Sequence, residues 1–151
     1  IFFSSLRLES FFFDKSLSKF VAMKLTLGKQ ERLKSRKLIE QLFTEGKSVK
    51  NFPLRMVFLQ VPHTSTFPIQ AAFSVPKRNF KRAVDRNRIK RLLRETYRLQ
   101  KEIVYTKLDK PTICMISYIG RDEMPFDQLF LKMTNLLHLL IKETSKNDET
   151  V

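Results

Sequence analysis

Residues 77–101 read KRNFKRAVDRNRIKRLLRETYRLQK and combine an apolar helical repeat with a strong positive charge. The stretch holds eleven Lys or Arg and two acids, a net charge of +9 in a chain that totals +14. Its apolar or weakly polar side chains recur at helical spacing, at Ile89, Leu92, Leu93 and Thr96-Tyr97. This periodicity predicts an amphipathic helix that packs one side on a core. The helix begins between Asn79 and Asp85 and extends to about residues 102–105.

The opposite face of the predicted helix is cationic. It carries Asn87, Lys90, Arg91, Arg94, Arg98 and Lys101, and Arg86 and Arg88 flank the apolar stripe. Seven of the eleven cations are Arg, whose planar guanidinium matches the oxygens of a phosphate. A helix face exposed to solvent usually explains a group of cations when acidic residues balance their charge. Here only two acids accompany the eleven cations. Such a charge density opposes compact folding unless an external polyanion neutralises it, so the pattern indicates a nucleic-acid surface.

The chain has the length and composition of one small domain. It contains 151 residues, of which 42% are hydrophobic, and we predict a single folded domain over residues 23–143. Residues 1–22 hold six of the fourteen Phe and precede Met23. We interpret them as an extension outside the fold, the alternative being a hydrophobic arm or targeting segment. Residues 144–151 are polar and are predicted to form a disordered tail.

The remaining patterns predict an α-β-β-α-β-α order, in an α+β sandwich with the helices on one side of a small sheet. The other predicted elements are a helix over 30–45 that Gly46 ends, strands over 54–61, 69–75 and 112–119, and a last helix from Phe126. We expect the first two strands to form an antiparallel hairpin. The third strand is nearly continuous in apolar residues, which is typical of a buried strand. Its Cys114 is interpreted as a small buried hydrophobic residue.

No catalytic group of residues is recognisable in the sequence. Paired carboxylates, a Ser-His-Asp arrangement and an HExxH motif are all missing from the 151 residues. A nuclease that holds its own Mg²⁺ normally shows clustered carboxylates. The residues therefore indicate a protein that binds nucleic acid and does not itself cut it.

The R-N-R-x-K-R block at Arg86, Asn87, Arg88, Lys90 and Arg91 resembles the signature of the bacterial ribonuclease P protein component. F-S-V-P-K-R at residues 73–78, A-V at 83–84 and R-E at 94–95 fit the same signature, and the resemblance covers residues 30–142. It implies the protein subunit of an RNA-based endoribonuclease that removes 5′ leaders from precursor tRNA. The resemblance further implies that the RNA subunit is the catalyst, that the holoenzyme uses Mg²⁺, and that the protein alone binds no cofactor. The implied fold is similar to the ribosomal protein S5 domain 2-like fold, with a left-handed β-α-β crossover around the motif helix.

The resemblance also implies two RNA-binding sites. The predicted site for the catalytic RNA comprises Lys77, Arg78, Arg86, Asn87, Arg88, Lys90, Arg91 and Arg94. The predicted leader site lies between the first helix and the sheet and comprises Ile39, Phe43 and Val57; the family often has an aromatic residue where this chain has Ile39. The implied partners are ribonuclease P RNA and precursor tRNA in the cytoplasm, with no membrane and no obligate protein partner.

Two other functions fit the composition. A ribosomal protein-like RNA-binding protein shares the basic charge and the α+β architecture, and would bind ribosomal RNA without affecting tRNA maturation. A membrane-surface protein would use the basic amphipathic helix to bind lipid. The second alternative is disfavoured because the core needs the apolar stripe of residues 77–101.

Overall fold

Residues 26–149, the part of the chain that the computed structural model describes, fold into α-helices packed on a β-sheet. The elements are a 3₁₀ turn (Lys29–Glu31), α1 (Arg36–Glu45), β1 (Lys47–Asn51), β2 (Leu54–Gln60), β3 (Ile69–Ser74), α2 (Ala83–Arg98), α3 (Glu102–Tyr105), β4 (Thr112–Tyr118) and α4 (Phe126–Glu149). The predicted extension over residues 1–22 lies outside the described residues. Helix α4 continues to Glu149 and buries Thr144, so the predicted tail is helical over residues 144–149.

The four strands form one sheet in the order β1-β2-β4-β3. Strand β4 lies between β2, to which it is antiparallel, and β3, to which it is parallel. The predicted hairpin of β2 and β3 is therefore wrong. The continuous apolar run of β4 explains the insertion, because a central strand is covered on both faces. Strands β3 and β4 are parallel neighbours joined through α2 and α3, so the chain forms a β-α-β crossover around the motif helix. Its left-handed sense stays a prediction.

Helices cover both faces of the sheet, so the prediction that they all lie on one side is wrong. Residues Leu54, Met56 and Phe58 of β2 alternate into a large core with α2 and α4. Val57 and Leu59 point to the opposite face, where they pack with Leu42 of α1. Both faces of β4 are apolar as well, and each one needs a helix against it.

The packing of α2 follows its apolar stripe. The helix begins at Ala83, inside the predicted window, and buries Ile89, Leu93, Thr96 and Tyr97. Leu92 packs at the margin of the same core. Cys114 is fully buried, as predicted, and burial raises the pKa of its thiol to about 12.

Helix α1 has clear local signals at both ends. Ser35 precedes it, and its hydroxyl oxygen accepts a hydrogen bond from the Leu38 amide at 3.4 Å, as an N-cap residue does. Gly46 follows the last residue of the helix. A Cβ at Gly46 would lie 2.3 Å from the Leu42 carbonyl oxygen and 2.8 Å from a Val57 methyl group, so the turn into β1 requires glycine.

Candidate RNA-binding surfaces

Helix α2 presents most of the predicted motif residues on its outer side. Asn87, Arg88, Arg91 and Arg94 are exposed, and Lys90 is half-buried. Lys77 and Arg78 are exposed in the loop that leads into the helix. We name these seven residues the cationic ridge. The apolar stripe of α2 holds the ridge in place, because it fixes the opposite side of the helix in the core.

Arg88 of the cationic ridge is held by carboxylates from two elements. Its Nε donates to Glu123 Oε1 at 3.1 Å, and its Nη2 donates to Asp85 Oδ1 at 3.0 Å and also to Glu123. The hydrogen bond with Glu123 raises the pKa of the guanidinium further above its ordinary value. Asp85 belongs to the first turn of α2, whereas Glu123 lies in the loop between β4 and α4.

Arg86 has a structural role that the sequence did not indicate. Its Nη1 donates to the carbonyl oxygens of Phe80 and Lys81, at 2.9 and 2.8 Å. Asn79 ties the same loop to the Ile119 carbonyl oxygen at 3.2 Å. Arg86 is also half-buried. Because its Nη1 donates to these two carbonyl oxygens, that nitrogen holds the loop that carries Lys77 and Arg78.

Lys101 does not belong to the basic face where the sequence placed it. Helix α2 ends at Arg98, and the chain turns into α3. Lys101 is only 2% exposed, and its Nζ donates to Glu31 Oε1 at 2.5 Å. A helix continued past Arg98 would place Lys101 on the exposed basic face. In the structure Lys101 is buried instead.

The predicted leader site lies where α1 packs on the other face of the sheet. Ile39 and Val57 are half-buried in the small apolar cluster around Leu42. Phe43 lies one turn after Ile39 on the same side of α1, and 60% of its surface is exposed. We name this region the α1 cleft. An exposed aromatic ring beside an apolar floor suits the stacking of an unpaired base.

Polar and cationic residues continue the α1 cleft across the sheet, and sequence reasoning missed them. Lys50 of β1 lies opposite Arg55 of β2 and both are exposed. Arg55 shares a sheet face with Val57, because residues two apart in a strand point to the same side. Ser74 and Ser117 are also paired across their strands, with 2.7 Å between their Oγ atoms. These residues are not predicted because the sequence pattern does not identify β1 as a strand. Its sequence, K-S-V-K-N, has only one apolar residue.

Metal-ligating residues are not clustered in residues 26–149: no group of three or more His, Cys, Asp or Glu is placed to hold an ion there. Over the same residues, no helix is both long and apolar enough to cross a membrane.

A cationic helix against one face of a small mixed sheet and an exposed aromatic side chain on the other face are typical of an α+β protein that binds RNA. The sequence profile of the ribonuclease P family matches residues 27–140. The ribonuclease P protein component of Porphyromonas gingivalis is 41% identical over 102 residues, which cover 66% of this chain and 74% of that protein. The protein component of Chlorobium phaeobacteroides is 34% identical over 126 residues, covering 75% of this chain and 86% of that protein. The chain belongs to the ribonuclease P protein family, as the resemblance implied.

Solved structures agree with this assignment at the level of the fold. The ribonuclease P protein of Thermotoga maritima superimposes with a TM-score of 0.58 at 24% identity, covering 71% of this chain and 94% of that one. The ribonuclease P protein of Staphylococcus aureus superimposes with a TM-score of 0.57 at 23% identity, covering 73% of this chain and 94% of that one. The α+β fold class is therefore confirmed. The chain is part of a ribonucleoprotein endoribonuclease that acts in tRNA processing, and the ribosomal protein-like alternative is not favoured.

Proposed function

We propose that the cationic ridge docks on ribonuclease P RNA and that the α1 cleft receives the 5′ leader of precursor tRNA. The observation that carries the proposal is the placement of these two surfaces on opposite faces of one sheet. One small protein then contacts the catalytic RNA and the substrate at the same time. The proposal includes no obligate protein partner.

The chemistry of each surface suits its proposed ligand. Arg91 and Arg94 of the cationic ridge are exposed on a rigid helix and match the regular phosphates of a folded RNA. Phe43 offers a π face that accepts any base, so the α1 cleft suits leaders of different sequence. Lys50 and Arg55 lie on the same sheet face and supply cations for the leader backbone.

In this proposal the protein positions RNA and performs no bond cleavage itself. In this proposal Mg²⁺ would bind to the holoenzyme and not to this chain, and it would supply charge neutralisation and Lewis-acid chemistry there. We also propose that the protein works in the cytoplasm, where the reducing environment suits the free thiol of Cys114.

Reconstitution tests the proposal. The protein is added to a bacterial ribonuclease P RNA and a precursor tRNA at low Mg²⁺, and cleavage at the mature 5′ end is measured. We expect stimulated cleavage in the mixture and none with the protein alone. Cleavage by the protein without RNA, lost on mutation of its own acids, would contradict the proposed division of labour.

A further inference from the structure

Glu123 reaches the cationic ridge from outside it. The residue lies in the loop before α4, 35 positions after Arg88 in the sequence, and belongs to none of the predicted binding sites. Both Nε and Nη2 of Arg88 donate to the same Glu123 oxygen, Oε1. Asp85 accepts a further bond from Nη2, so two carboxylates surround one guanidinium of the ridge.

The geometry limits what Arg88 offers to a phosphate. A guanidinium binds two oxygens of one anion through either of two edges that include Nη2, namely Nε–Nη2 and Nη1–Nη2. Nη2 of Arg88 already donates to both carboxylates, and Nη1 has no hydrogen-bond partner among residues 26–149. A phosphate can therefore approach Nη1 alone, and a two-oxygen contact requires one carboxylate to leave.

We propose that Glu123 sets the affinity of the cationic ridge for RNA by competing with a phosphate for Arg88. The inference rests on the proposed function, since it requires that the ridge binds RNA. The pair is weak enough to be displaced, because the two side chains are 51% and 37% exposed and water screens such pairs strongly. Glu123 also places a negative charge where the RNA backbone approaches.

Glu123 is a cleaner test position than Asp85. Asp85 lies in the first turn of α2, where its charge favours the helix N-terminus, and it pairs with Arg82 at 3.3 Å as well. A change at Asp85 would alter the helix and the competition together. Glu123 lies in a loop and makes its ion pair with Arg88 only, within the described part of the chain.

The experiment measures binding of labelled ribonuclease P RNA to the Glu123→Gln variant over a series of salt concentrations. We expect the affinity to rise about two- to fivefold, the range for loss of one exposed ion pair. The slope of log K against log salt should steepen by up to about one unit, because Arg88 gains a phosphate contact. Asp122→Asn is the matched control, since it removes the same charge from the same loop without a hydrogen bond or ion pair to Arg88.

A second arm repeats the comparison in an Arg88→Ala background, with thermal unfolding of every variant to establish that it is folded. We expect Glu123→Gln to raise RNA affinity more than Asp122→Asn does, but only when Arg88 is present. Equal effects of the two substitutions, or the same excess without Arg88, would overturn the inference.

Arg91→Ala separates this inference from the function on which it rests, because Glu123 makes its ion pair with Arg88 and not with Arg91 among residues 26–149. If Arg91→Ala weakens RNA binding while Glu123→Gln matches its control, only the role of Glu123 is wrong. If Arg88→Ala and Arg91→Ala both leave affinity and salt slope unchanged, the ridge is not the RNA surface and both proposals are wrong.

Discussion

Lys101 and Glu31 form a buried ion pair, with 2.5 Å between Lys101 Nζ and Glu31 Oε1 and each side chain 3% exposed. The Tyr105 hydroxyl donates to the same carboxylate oxygen at 2.7 Å, and Lys101 also donates to the Thr26 carbonyl oxygen. On the other side of the carboxylate, the Gly28 amide donates to Oε2 at 2.7 Å. These bonds fasten the segment before α1 to the turn that follows α2.

Replacing Lys101 with Met should destabilise the protein without weakening the RNA surface. The substitution leaves Glu31 buried without its cation, and loss of one partner of a buried pair costs about 3–5 kcal/mol. The double variant Lys101→Met/Glu31→Gln should recover much of that loss, because no unpaired charge is left. Urea unfolding measures the free energy of unfolding of the single and the double variant. A loss below about 1 kcal/mol for the single variant, or an RNA affinity that falls while the protein is fully folded, would show that Lys101 is a surface residue.

The limits of a helical projection explain why Lys101 was misplaced. The 100° periodicity correctly assigns Ile89 and Leu93 to the core and Arg91 to the surface, because those residues lie within α2. After Arg98 the chain turns, and the projection no longer gives the direction of a side chain. No local sequence signal marks that turn, since the residues from Leu99 to Lys101 suit a helix interior well.

Strand pairing was the other feature that local patterns did not predict. The sequence favours pairing of neighbouring strands, but β4 separates β2 from β3 because its two faces are both apolar. Such an insertion depends on long-range burial, which no window of a few residues contains. The polar strand β1 went unrecognised for a related reason: its only apolar residue is Val49, which is too little for an alternating pattern. The α1 cleft was therefore predicted only in part, without Lys50 and Arg55.

Arg91→Ala should weaken binding to ribonuclease P RNA while the fold is retained. Arg91 is exposed on α2, and its loss removes one phosphate partner but no core contact. The slope of log K against log salt should become shallower by up to about one unit. Lys146→Ala is a suitable control, because it removes a cation at the distant end of α4. Equal effects of the two substitutions would indicate general charge attraction rather than a contact at Arg91.

Alkaline pH should destabilise the protein, because the buried Cys114 thiol and Tyr97 hydroxyl ionise more easily in the unfolded chain. Burial raises the pKa of the Cys114 thiol from 9.0 to about 12, and burial also raises the pKa of the Tyr97 hydroxyl. Between pH 9.0 and about 12 the unfolded chain has released the thiol proton while the native chain keeps it. The unfolded state then binds fewer protons, so the free energy of unfolding falls as pH rises.

The thiol contribution can be isolated with Cys114→Ala. Near pH 10.5 the thiol should cost the wild-type protein about 2 kcal/mol relative to pH 8, and the variant should lose less over that interval. Chemical unfolding at the two pH values measures the difference. Identical pH dependence in the two proteins would mean that the thiol ionises equally easily in the folded and unfolded chains.

Phe43→Ala should selectively weaken binding of precursor tRNAs with long leaders. Loss of one stacking platform costs about 1–3 kcal/mol, and the proposal places that loss on leaders of several nucleotides and not on a leader of one nucleotide. The fold should change little, since Phe43 is 60% exposed and a loss of about 3–5 kcal/mol is expected only for a buried Phe. Leu131→Ala is the matched control, because Leu131 is 65% exposed on α4, away from the cleft. Affinity for the catalytic RNA should stay unchanged, because Phe43 lies across the sheet from the cationic ridge. Equal weakening for leaders of one and of several nucleotides, or a large loss of stability, would exclude Phe43 from the leader site.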